Sequence, residues 1–279
     1  MSELRVIKFG GTSLGSPSRI RLAARRLRAH ARSGARVVAV VSAAGGATDR
    51  IVRLLGRVSG GRPSPRESDR ALATGEDLSA ALLASSLCSL GVQSRSLRGG
   101  EAGVRVDGGF CGAHIEHVDP APLRAFLDAG VIPIVSGFQG TRPDGETLTL
   151  GRGASDLSAV AIAAALGAAE CHIVTDVAGV FDRDPRREGD ARLFAHLDHH
   201  ELLRLADLGA RVVHREAAAE ALRAAIPLRI YHFRAPPAAE AGTYVDSAFT
   251  AAPLRIVSTR TAAADRSEAA ARIVPEVVA

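Results

Sequence analysis

Short apolar runs alternate along the chain with longer amphipathic segments, which is the pattern of a sheet covered by helices on both faces. The apolar runs are rich in β-branched residues and predict buried parallel strands at 5–9, 36–42, 131–136, 171–175 and 228–233. The segments between them predict helices at 17–33, from about 48 onward, 69–90, 156–166, 198–208 and 212–225. The expected fold class is therefore α/β, a three-layer α/β/α sandwich with a mainly parallel central sheet.

Turn-forming residues separate these elements. Residues 59–68 (SGGRPSPRES) predict a linker, and Pro143-Asp144-Gly145 predicts the turn of a hairpin over 141–149. After about residue 250 the chain becomes irregular and alanine-rich, with one short strand predicted at 254–258. We expect one domain over 1–250, with lobes at about 1–150 and 151–250, and a short strand and tail over 251–279.

Three glycine-containing loops follow predicted strands, at residues 10–13, 43–48 and 151–156. In parallel α/β sheets, ligands bind beyond the carboxyl ends of the strands. The three loops are therefore expected to converge on one cleft.

Composition narrows the class of protein. The chain has 279 residues, of which 47% are hydrophobic, and no run approaches the roughly 20 apolar residues of a membrane span. The apolar stretch near the start of the sequence ends at Gly10 and Gly11, which makes it too short for a signal peptide. Cys88, Cys111 and Cys171 form no C-x-x-C pair, so we expect buried free thiols in a cytoplasmic protein.

The formal net charge of +5 raises the question of nucleic-acid binding. Aromatic residues, which stack on bases, make up only 4% of the chain, and the arginines lie among acidic residues. We therefore expect neither a nucleic-acid nor a membrane partner. A basic chain also suits a small anionic substrate.

Lys8 is the only lysine among 35 basic residues. Lysine is a compact point charge, whereas arginine is a wide planar fork. The position of Lys8 beside Gly10 and Gly11 indicates a site where the planar guanidinium group of arginine does not fit. The alternative is that a single lysine was retained there by chance.

The segment around Lys8 matches none of the common nucleotide-binding motifs. It lacks the G-K-[ST] ending of a Walker A motif and the glycine spacing of a Rossmann fingerprint, and the chain has no H-R-D or D-F-G element. A strand, Gly-Gly-Thr-Ser and then a helix nevertheless form a good anion site, because backbone N–H groups and the helix dipole face the ligand. Taken alone, such a turn is structural more often than functional.

The complete set of motifs resembles the catalytic domain of the aspartokinases, in the amino acid kinase family, over about residues 4–245. In chain order the motifs are KFGGTS (8–13), VVSAAGGAT (40–48), GEDLS (75–79), GFQG (137–140), LGRGASD (150–156), TDVAGVFDRDPR (175–186) and LGARVVH (208–214). The resemblance implies a carbamate kinase-like fold, with an acceptor-binding first lobe and a nucleotide-binding second lobe. It also implies ATP-dependent phosphorylation of the side-chain carboxylate of L-aspartate, giving 4-phospho-L-aspartate.

The resemblance assigns a role to each matched position. Lys8 would bridge the β- and γ-phosphates, Asp156 would hold Lys8, and Gly10 and Gly11 would donate backbone N–H bonds to the transferred group. The other expected nucleotide-binding residues are Thr12, Ser13, Thr175, Asp176, Phe181, Arg186 and Arg211. The expected acceptor-binding residues are Ser42, Thr48, Glu76, Phe138, Arg152 and Ser155, among which Arg152 clamps the α-carboxylate and Glu76 pairs with the α-ammonium.

ATP and Mg²⁺ are the implied cofactors, although the sequence shows no dedicated cage of acidic metal ligands. A carboxylate acceptor is ionised near pH 7, so the reaction needs charge neutralisation and positioning rather than a general base. The resemblance also implies a homodimer.

The chain departs from the family pattern at several positions. Arg211, Phe181 and Ala154 stand where lysine, tyrosine and glycine are usual. Aspartokinases usually continue into paired ACT domains that bind lysine or threonine, and this sequence ends soon after residue 245. We therefore expect no ACT domain and no inhibition by lysine or threonine.

Two alternatives stay open at this point. One is an enzyme of the same fold with another acidic acceptor, such as a modified aspartate, another amino acid or a phosphonate, in a specialised biosynthetic pathway. The other is a binding subunit without activity, which the presence of both Lys8 and Asp156 argues against.

Overall fold

The architecture is described from a computed structural model, for residues 3–151, 153–183, 185, 188–210, 212–235, 242–247 and 256–257. The strands are β1 (Leu4–Phe9), β2 (Arg36–Val41), β3 (Ser94–Leu97), β4 (Val104–Asp107), β5 (His114–Val118), β6 (Ile132–Ser136), β7 (Gln139–Thr141), β8 (Thr147–Thr149), β9 (Glu170–Thr175), β10 (Leu193–Phe194), β11 (His196–Asp198), β12 (Leu228–His232), β13 (Thr243–Asp246) and β14 (Ile256–Val257). The helices are α1 (Pro17–Arg32), α2 (Ala47–Val58), α3 (Pro65–Cys88), α4 (Ala121–Asp128), α5 (Ser155–Leu166), α6 (His199–Asp207) and α7 (Arg215–Ala224), with a 3-10 turn over Gly11–Leu14.

Eight strands form the central sheet, in the order β11-β13-β12-β9-β1-β2-β6-β3. Neighbouring strands run parallel except β12 and β13, which are antiparallel. β1 lies near the middle, between β2 and β9, as its apolar sequence predicts. A second sheet of four strands, in the order β5-β4-β7-β8, includes the predicted hairpin. The mainly parallel α/β sandwich expected from the sequence is therefore confirmed.

The two faces of the central sheet carry separate helix layers. Ile7 and Phe9 of β1 pack with α1 and α3, whereas Val6 packs on the opposite face with α5 and α7. Because side chains alternate along a strand, this register turns Lys8 towards the α5 face. The position of the only lysine is thus set by the hydrophobic pattern of its own strand.

Capping residues begin several helices where the sequence predicts. Ser16 accepts a hydrogen bond from the Arg19 N–H (3.3 Å) at the start of α1, with Pro17 in the first turn. Asp198 accepts one from the Glu201 N–H (2.7 Å) at the start of α6. These local signals are sufficient because capping needs only residues adjacent in sequence.

Other predicted boundaries are wrong. The linker is shorter than expected, since α3 already begins at Pro65, and α7 begins at Arg215 rather than at residue 212. β3, β4, β5 and α4 occupy the stretch 91–130, for which the sequence pattern predicted no element. These elements are short and half-buried, so their apolar periodicity is weak.

The burial of the three cysteines agrees only in part with the prediction. Cys171 is buried in β9, as expected, but Cys88 and Cys111 are exposed, so the expectation of three buried thiols is wrong. Within the described part of the chain, no helix combines the length and apolarity needed to cross a bilayer.

The two expected lobes share one sheet, because β1, β2, β3 and β6 precede residue 150 and β9, β11, β12 and β13 follow it. Their separate roles stay a prediction. β14 lies within the strand predicted at 254–258, whereas the tail after residue 257 falls outside the described residues.

Candidate active site

The three glycine loops meet beyond the carboxyl ends of β1 and β2, where they surround a cleft of about 430 Å³. Each loop contributes to its lining, through Gly10 and Gly11, Gly45 and Gly46, and Gly153. Eleven of the expected site residues line this cleft, namely Lys8, Gly10, Gly11, Thr12, Ser42, Thr48, Glu76, Phe138, Ser155, Asp156 and Thr175. The convergence predicted from the loops is therefore confirmed.

Lys8 and Asp156 form an ion pair in the cleft, with 2.6 Å between Lys8 Nζ and Asp156 Oδ1. Both side chains are only 10% exposed, so their attraction is little screened by water. The pair places a fixed positive charge in the cleft.

Asp156 is held on its other side by the loop that precedes α7. Its Oδ2 accepts a hydrogen bond from the backbone N–H of His214 (3.2 Å). Asp156 also lies in the first turn of α5, where a carboxylate is favoured by the helix dipole. These contacts fix the carboxylate that faces Lys8.

The first two glycine loops touch through their backbones. The Gly45 N–H donates to the Gly11 carbonyl (2.9 Å), and a Cβ atom on Gly11 would lie only 2.5 Å from the Ala43 oxygen. The N–H groups of Gly11 and Thr12 have no acceptor among the described residues. The turn therefore presents backbone donors next to Lys8, as an anion site requires.

Gly10 differs from the expectation. Its N–H donates to the Val174 carbonyl (3.0 Å), so this amide is already engaged and is not available to a phosphate in this arrangement. A Cβ atom on Gly10 would lie 3.5 Å from Lys8 Nζ. The glycine thus leaves room for the ammonium group instead of donating to a ligand.

We predict that Gly11→Ala lowers kcat/KM about 10²-fold, since the new methyl group forces the two loops apart and misplaces the backbone donors of the expected anion site. Steady-state kinetics of ADP formation measures the effect. Gly15→Ala is the matched control, because its Cβ would find no atom closer than 3.6 Å and its φ is −70°. Equal loss in both variants would contradict the argument.

Glu76 is a buried carboxylate with one unpaired oxygen. Its Oε1 accepts the Ala43 N–H (2.8 Å), whereas Oε2 is buried and has no hydrogen-bond partner among the described residues. Burial raises the pKa of Glu76 to about 7, with a smaller contribution from the neighbouring charge of Asp77. The cleft thus holds an acceptor oxygen that a ligand cation can satisfy.

Asp69, on the same helix, shows the contrast. It is fully buried but accepts from the Cys111 N–H, the Thr149 N–H and the Thr149 hydroxyl, at 2.6 to 3.1 Å. A buried carboxylate with a complete set of donors is structural. Glu76 lacks such a set, because its Oε2 has no donor among the described residues.

The cleft is also lined by two residues with hydroxyl groups, Ser42 and Ser155, and by the aromatic residue Phe138. Ser42 and Ser155 lie with their Oγ atoms 2.7 Å apart, linking the end of β2 to the start of α5. Phe138 has a φ of 67°, a left-handed conformation that residues other than glycine rarely adopt. Such backbone conformations are frequent at ligand-binding sites.

Several expected residues do not line the cleft. Ser13 is buried with its hydroxyl directed at the Val174 carbonyl (3.4 Å), so its predicted contact with the nucleotide is not supported. Asp176 and Phe181 follow Thr175 on the loop beyond the cleft, and Phe181 pairs with Leu193. Arg152, Arg186 and Arg211 lie outside the described residues, so their predicted roles stay predictions.

Three further residues at or beside the cleft were missed by the sequence reasoning. Asp49 and Val212 line the cleft, and the backbone of His214 holds Asp156. Asp49 follows the second glycine loop directly and was detectable from that position. Val212 and His214 lie within the LGARVVH motif (208–214), from which only Arg211 was assigned to the site. Ala154, a departure from the family pattern, has a φ of −73°, so its methyl group requires no strained backbone.

The residues of the cleft fit a magnesium ion that arrives with a nucleotide. No group of three or more metal-ligating side chains occurs in the part of the chain that the structure describes. Mg²⁺ in phosphoryl-transfer sites uses only one or two carboxylates, with water and phosphate oxygens completing its shell. Asp49 and Asp156, both on the cleft, are the carboxylates that would hold such an ion.

Comparison with known proteins agrees with this geometry. Residues 3–232 match the model of the amino acid kinase family. An aspartokinase of Geobacillus stearothermophilus is 47% identical over 81% of this chain and 55% of its own length. A crystal structure of aspartate kinase from Synechocystis superposes on this chain with a TM-score of 0.75 and 37% sequence identity. The superposition covers 89% of this chain and 40% of the Synechocystis chain. E. coli aspartokinase III, solved with aspartate and ADP, gives a TM-score of 0.77 at 26% identity, over 89% and 65% of the two chains. The chain thus spans about half the length of the curated relative it matches.

Proposed function

The chain belongs to the amino acid kinase family, and from this premise we propose that it transfers the γ-phosphoryl group of ATP to the side-chain carboxylate of L-aspartate. The observation that carries the proposal is that the Lys8–Asp156 pair and the half-satisfied carboxylate of Glu76 line one cleft. A cation for phosphates and an anion for an ammonium group are the two charges that this reaction needs. The aspartate and ADP bound by E. coli aspartokinase III support both ligand classes.

Phosphoryl transfer to a carboxylate brings two anions together, so charge neutralisation and positioning carry the catalysis. In the proposed reaction, Lys8 neutralises charge on the β- and γ-phosphates, and the Gly11 and Thr12 amides donate to phosphate oxygens. Asp156 keeps the ammonium of Lys8 in place. Bound Mg²⁺ supplies additional positive charge on the phosphate oxygens.

Glu76 selects the acceptor in this proposal. Its buried Oε2 accepts from the α-ammonium of a free amino acid, which completes the hydrogen bonding of the carboxylate. An N-acylated acid cannot supply this charge. Arg152, proposed to clamp the α-carboxylate, completes recognition of an α-amino acid.

A hydroxylamine-trapping assay tests the activity directly. With ATP, Mg²⁺ and L-aspartate, the acyl phosphate product is converted into a hydroxamate that can be measured. A parallel panel of modified aspartates, other amino acids and phosphonates, followed by ADP release, identifies the acceptor. ADP formed with another acid but not with aspartate would refute the acceptor, and no ADP with any acid would refute catalysis.

The single lysine allows a direct test of the nucleotide site. Growth on ¹³C-labelled lysine marks one side chain in the whole protein, Lys8. We predict that ATP or ADP with Mg²⁺ shifts the NMR signal of its ε-carbon, whereas L-aspartate alone shifts it less. A signal that saturating nucleotide leaves unmoved would place the phosphates elsewhere.

The expected insensitivity to lysine and threonine, the homodimer and the cytoplasmic location stay predictions. Addition of either amino acid to the same assay tests the first of them. Sedimentation of the purified protein tests the second.

A further inference from the structure

The first turn of α5 contacts each wall of the cleft. Ser155 reaches Ser42 at the end of β2, and Asp156 reaches Lys8 on β1. Ser158, one turn further along, reaches the backbone of Phe138 beyond β6. The first two contacts belong to the cleft itself, whereas Ser158 is not among the residues that line it.

Ser158 forms a bridge between two segments that are distant in sequence. Its hydroxyl accepts the Phe138 N–H (3.0 Å) and donates to the Ala154 carbonyl (3.1 Å). The side chain is almost fully buried, with 1% of the residue exposed. Because the site is buried, the Phe138 N–H depends on this hydroxyl for its hydrogen bond.

The bridge acts on a backbone segment in a rare conformation. Phe138 is left-handed, with a φ of 67°, and its carbonyl accepts the Leu150 N–H (2.9 Å). Gly137 is confined as well, because a Cβ atom there would lie 2.9 Å from the Ser155 side chain and 3.1 Å from the Val41 oxygen. The segment is therefore held at both ends, and Ser158 supplies the bond at the amide of Phe138, a residue that lines the cleft.

We propose that Ser158 is a positioning residue for the acceptor pocket, which it serves by fixing the left-handed backbone of Phe138. The inference rests on the proposed function, since it assigns the Phe138 side of the cleft to the acceptor. Loss of the hydroxyl leaves a buried amide without a partner, and the Phe138 backbone relaxes away from its strained conformation. Because the same serine also bonds to Ala154 at the start of α5, it couples the acceptor wall to the helix that carries Asp156.

The test compares Ser158→Thr with Ser158→Val, which have the same shape and differ in the hydroxyl group. We expect Ser158→Val to raise the KM for L-aspartate about tenfold, with the KM for ATP and kcat little changed. Ser158→Thr keeps both hydrogen bonds and restores the wild-type KM. Ser158→Ala removes the same hydroxyl without adding volume, and we expect it to raise the KM for L-aspartate as Ser158→Val does.

Ser68→Ala is the control for a purely structural loss. Ser68 is also buried and makes the same type of bond to the carbonyl four residues earlier, Ser64 (2.8 Å), but it lies away from the cleft. We expect Ser68→Ala to leave the KM for aspartate unchanged. A crystal structure of Ser158→Ala that retains a left-handed Phe138, or a KM equal to that of wild type, would overturn the inference.

The two proposals fail in different ways. Absence of aspartate-dependent ADP formation in the wild-type protein rejects the proposed function. Wild-type turnover combined with an unchanged KM in both Ser158→Ala and Ser158→Val rejects only the role of Ser158.

Discussion

Replacement of Lys8 by methionine is expected to lower kcat by about 10²–10³-fold, because the variant loses the buried cation that we propose to neutralise the transferred phosphoryl group. Methionine preserves most of the side-chain length and apolar contact. The KM for aspartate is expected to change little, since Lys8 is proposed to contact the phosphates and not the acceptor. Trapping of the hydroxamate at saturating ATP measures the loss of kcat.

The same substitution leaves Asp156 as a buried carboxylate without its cation, which destabilises the fold by about 3 kcal/mol. Activity must therefore be measured at a temperature where circular dichroism shows the variant to be folded. Lys8→Met/Asp156→Asn removes both charges and is expected to recover stability without recovering kcat.

Arg5→Met provides the control on the same strand. Arg5 also carries positive charge on β1 but lies at the opposite end, beside Glu3 and His30. The kcat of the Arg5→Met variant is expected to match that of the wild type. A folded Lys8→Met variant that keeps more than about a tenth of the wild-type kcat would show that the lysine does not stabilise the transition state.

Replacement of Glu76 by glutamine is expected to raise the KM for L-aspartate about 10²-fold and to leave the KM for ATP unchanged. The reason is that the proposed charge pair between the buried carboxylate and the α-ammonium would be replaced by a neutral contact. In the wild type, the KM for aspartate is expected to fall as the pH rises towards about 7, where Glu76 becomes charged, and to level off above it. The Glu76→Gln variant should show a flat profile over this range.

The ligand-free protein should become less stable over the same pH range in which its binding of aspartate becomes tighter. Burial raises the pKa of Glu76 from its ordinary value near 4.5 to about 7 in the folded state. The neutral carboxyl group therefore contributes stability that is complete below about pH 4.5 and is lost as the pH rises through about 7. Glu76→Gln removes this loss, so at pH 8 the variant should unfold with a free energy higher by up to about 3 kcal/mol. Urea unfolding at pH 4.5 and pH 8 measures the difference.

Asp69→Asn is the contrasting variant. Because Asp69 accepts from three donors, its neutral replacement should destabilise the protein at both pH values and leave the KM for aspartate close to that of the wild type. Stabilisation by Glu76→Gln together with lost aspartate binding would identify an acid kept for function. Destabilisation by Glu76→Gln at pH 8 would contradict this reasoning.

The local part of this structure could be predicted from the sequence. β1, β2, β6, β9 and β12 were each located within a residue, because a buried strand needs only a run of apolar, β-branched side chains. The hairpin of β7 and β8 followed from one proline-containing turn. The edge elements between residues 91 and 130 were missed because half-buried strands alternate weakly and depend on their neighbours.

The location of the candidate site could also be predicted from the sequence. Lys8, Glu76 and Asp156 line one cleft, because strand ends and glycine loops fix the position of a site by topology alone. The bonds within the site were not predictable. That the Gly10 amide is engaged by Val174, and that Ser13 faces the protein interior, depends on the approach of β9, which is remote in sequence.

The sequence by itself determined the layers of the sheet, the edge at which the glycine loops form a cleft and the one position where a lysine meets these loops. These follow from periodicity, turn chemistry and charge, all of which act between near neighbours. The tertiary structure decided which polar groups are satisfied. Glu76 bonds to Ala43, 33 residues away, and keeps one oxygen free, whereas Ser158 bonds to Phe138 across 20 residues. Such pairings depend on distances through space, which are set only when the whole core has packed.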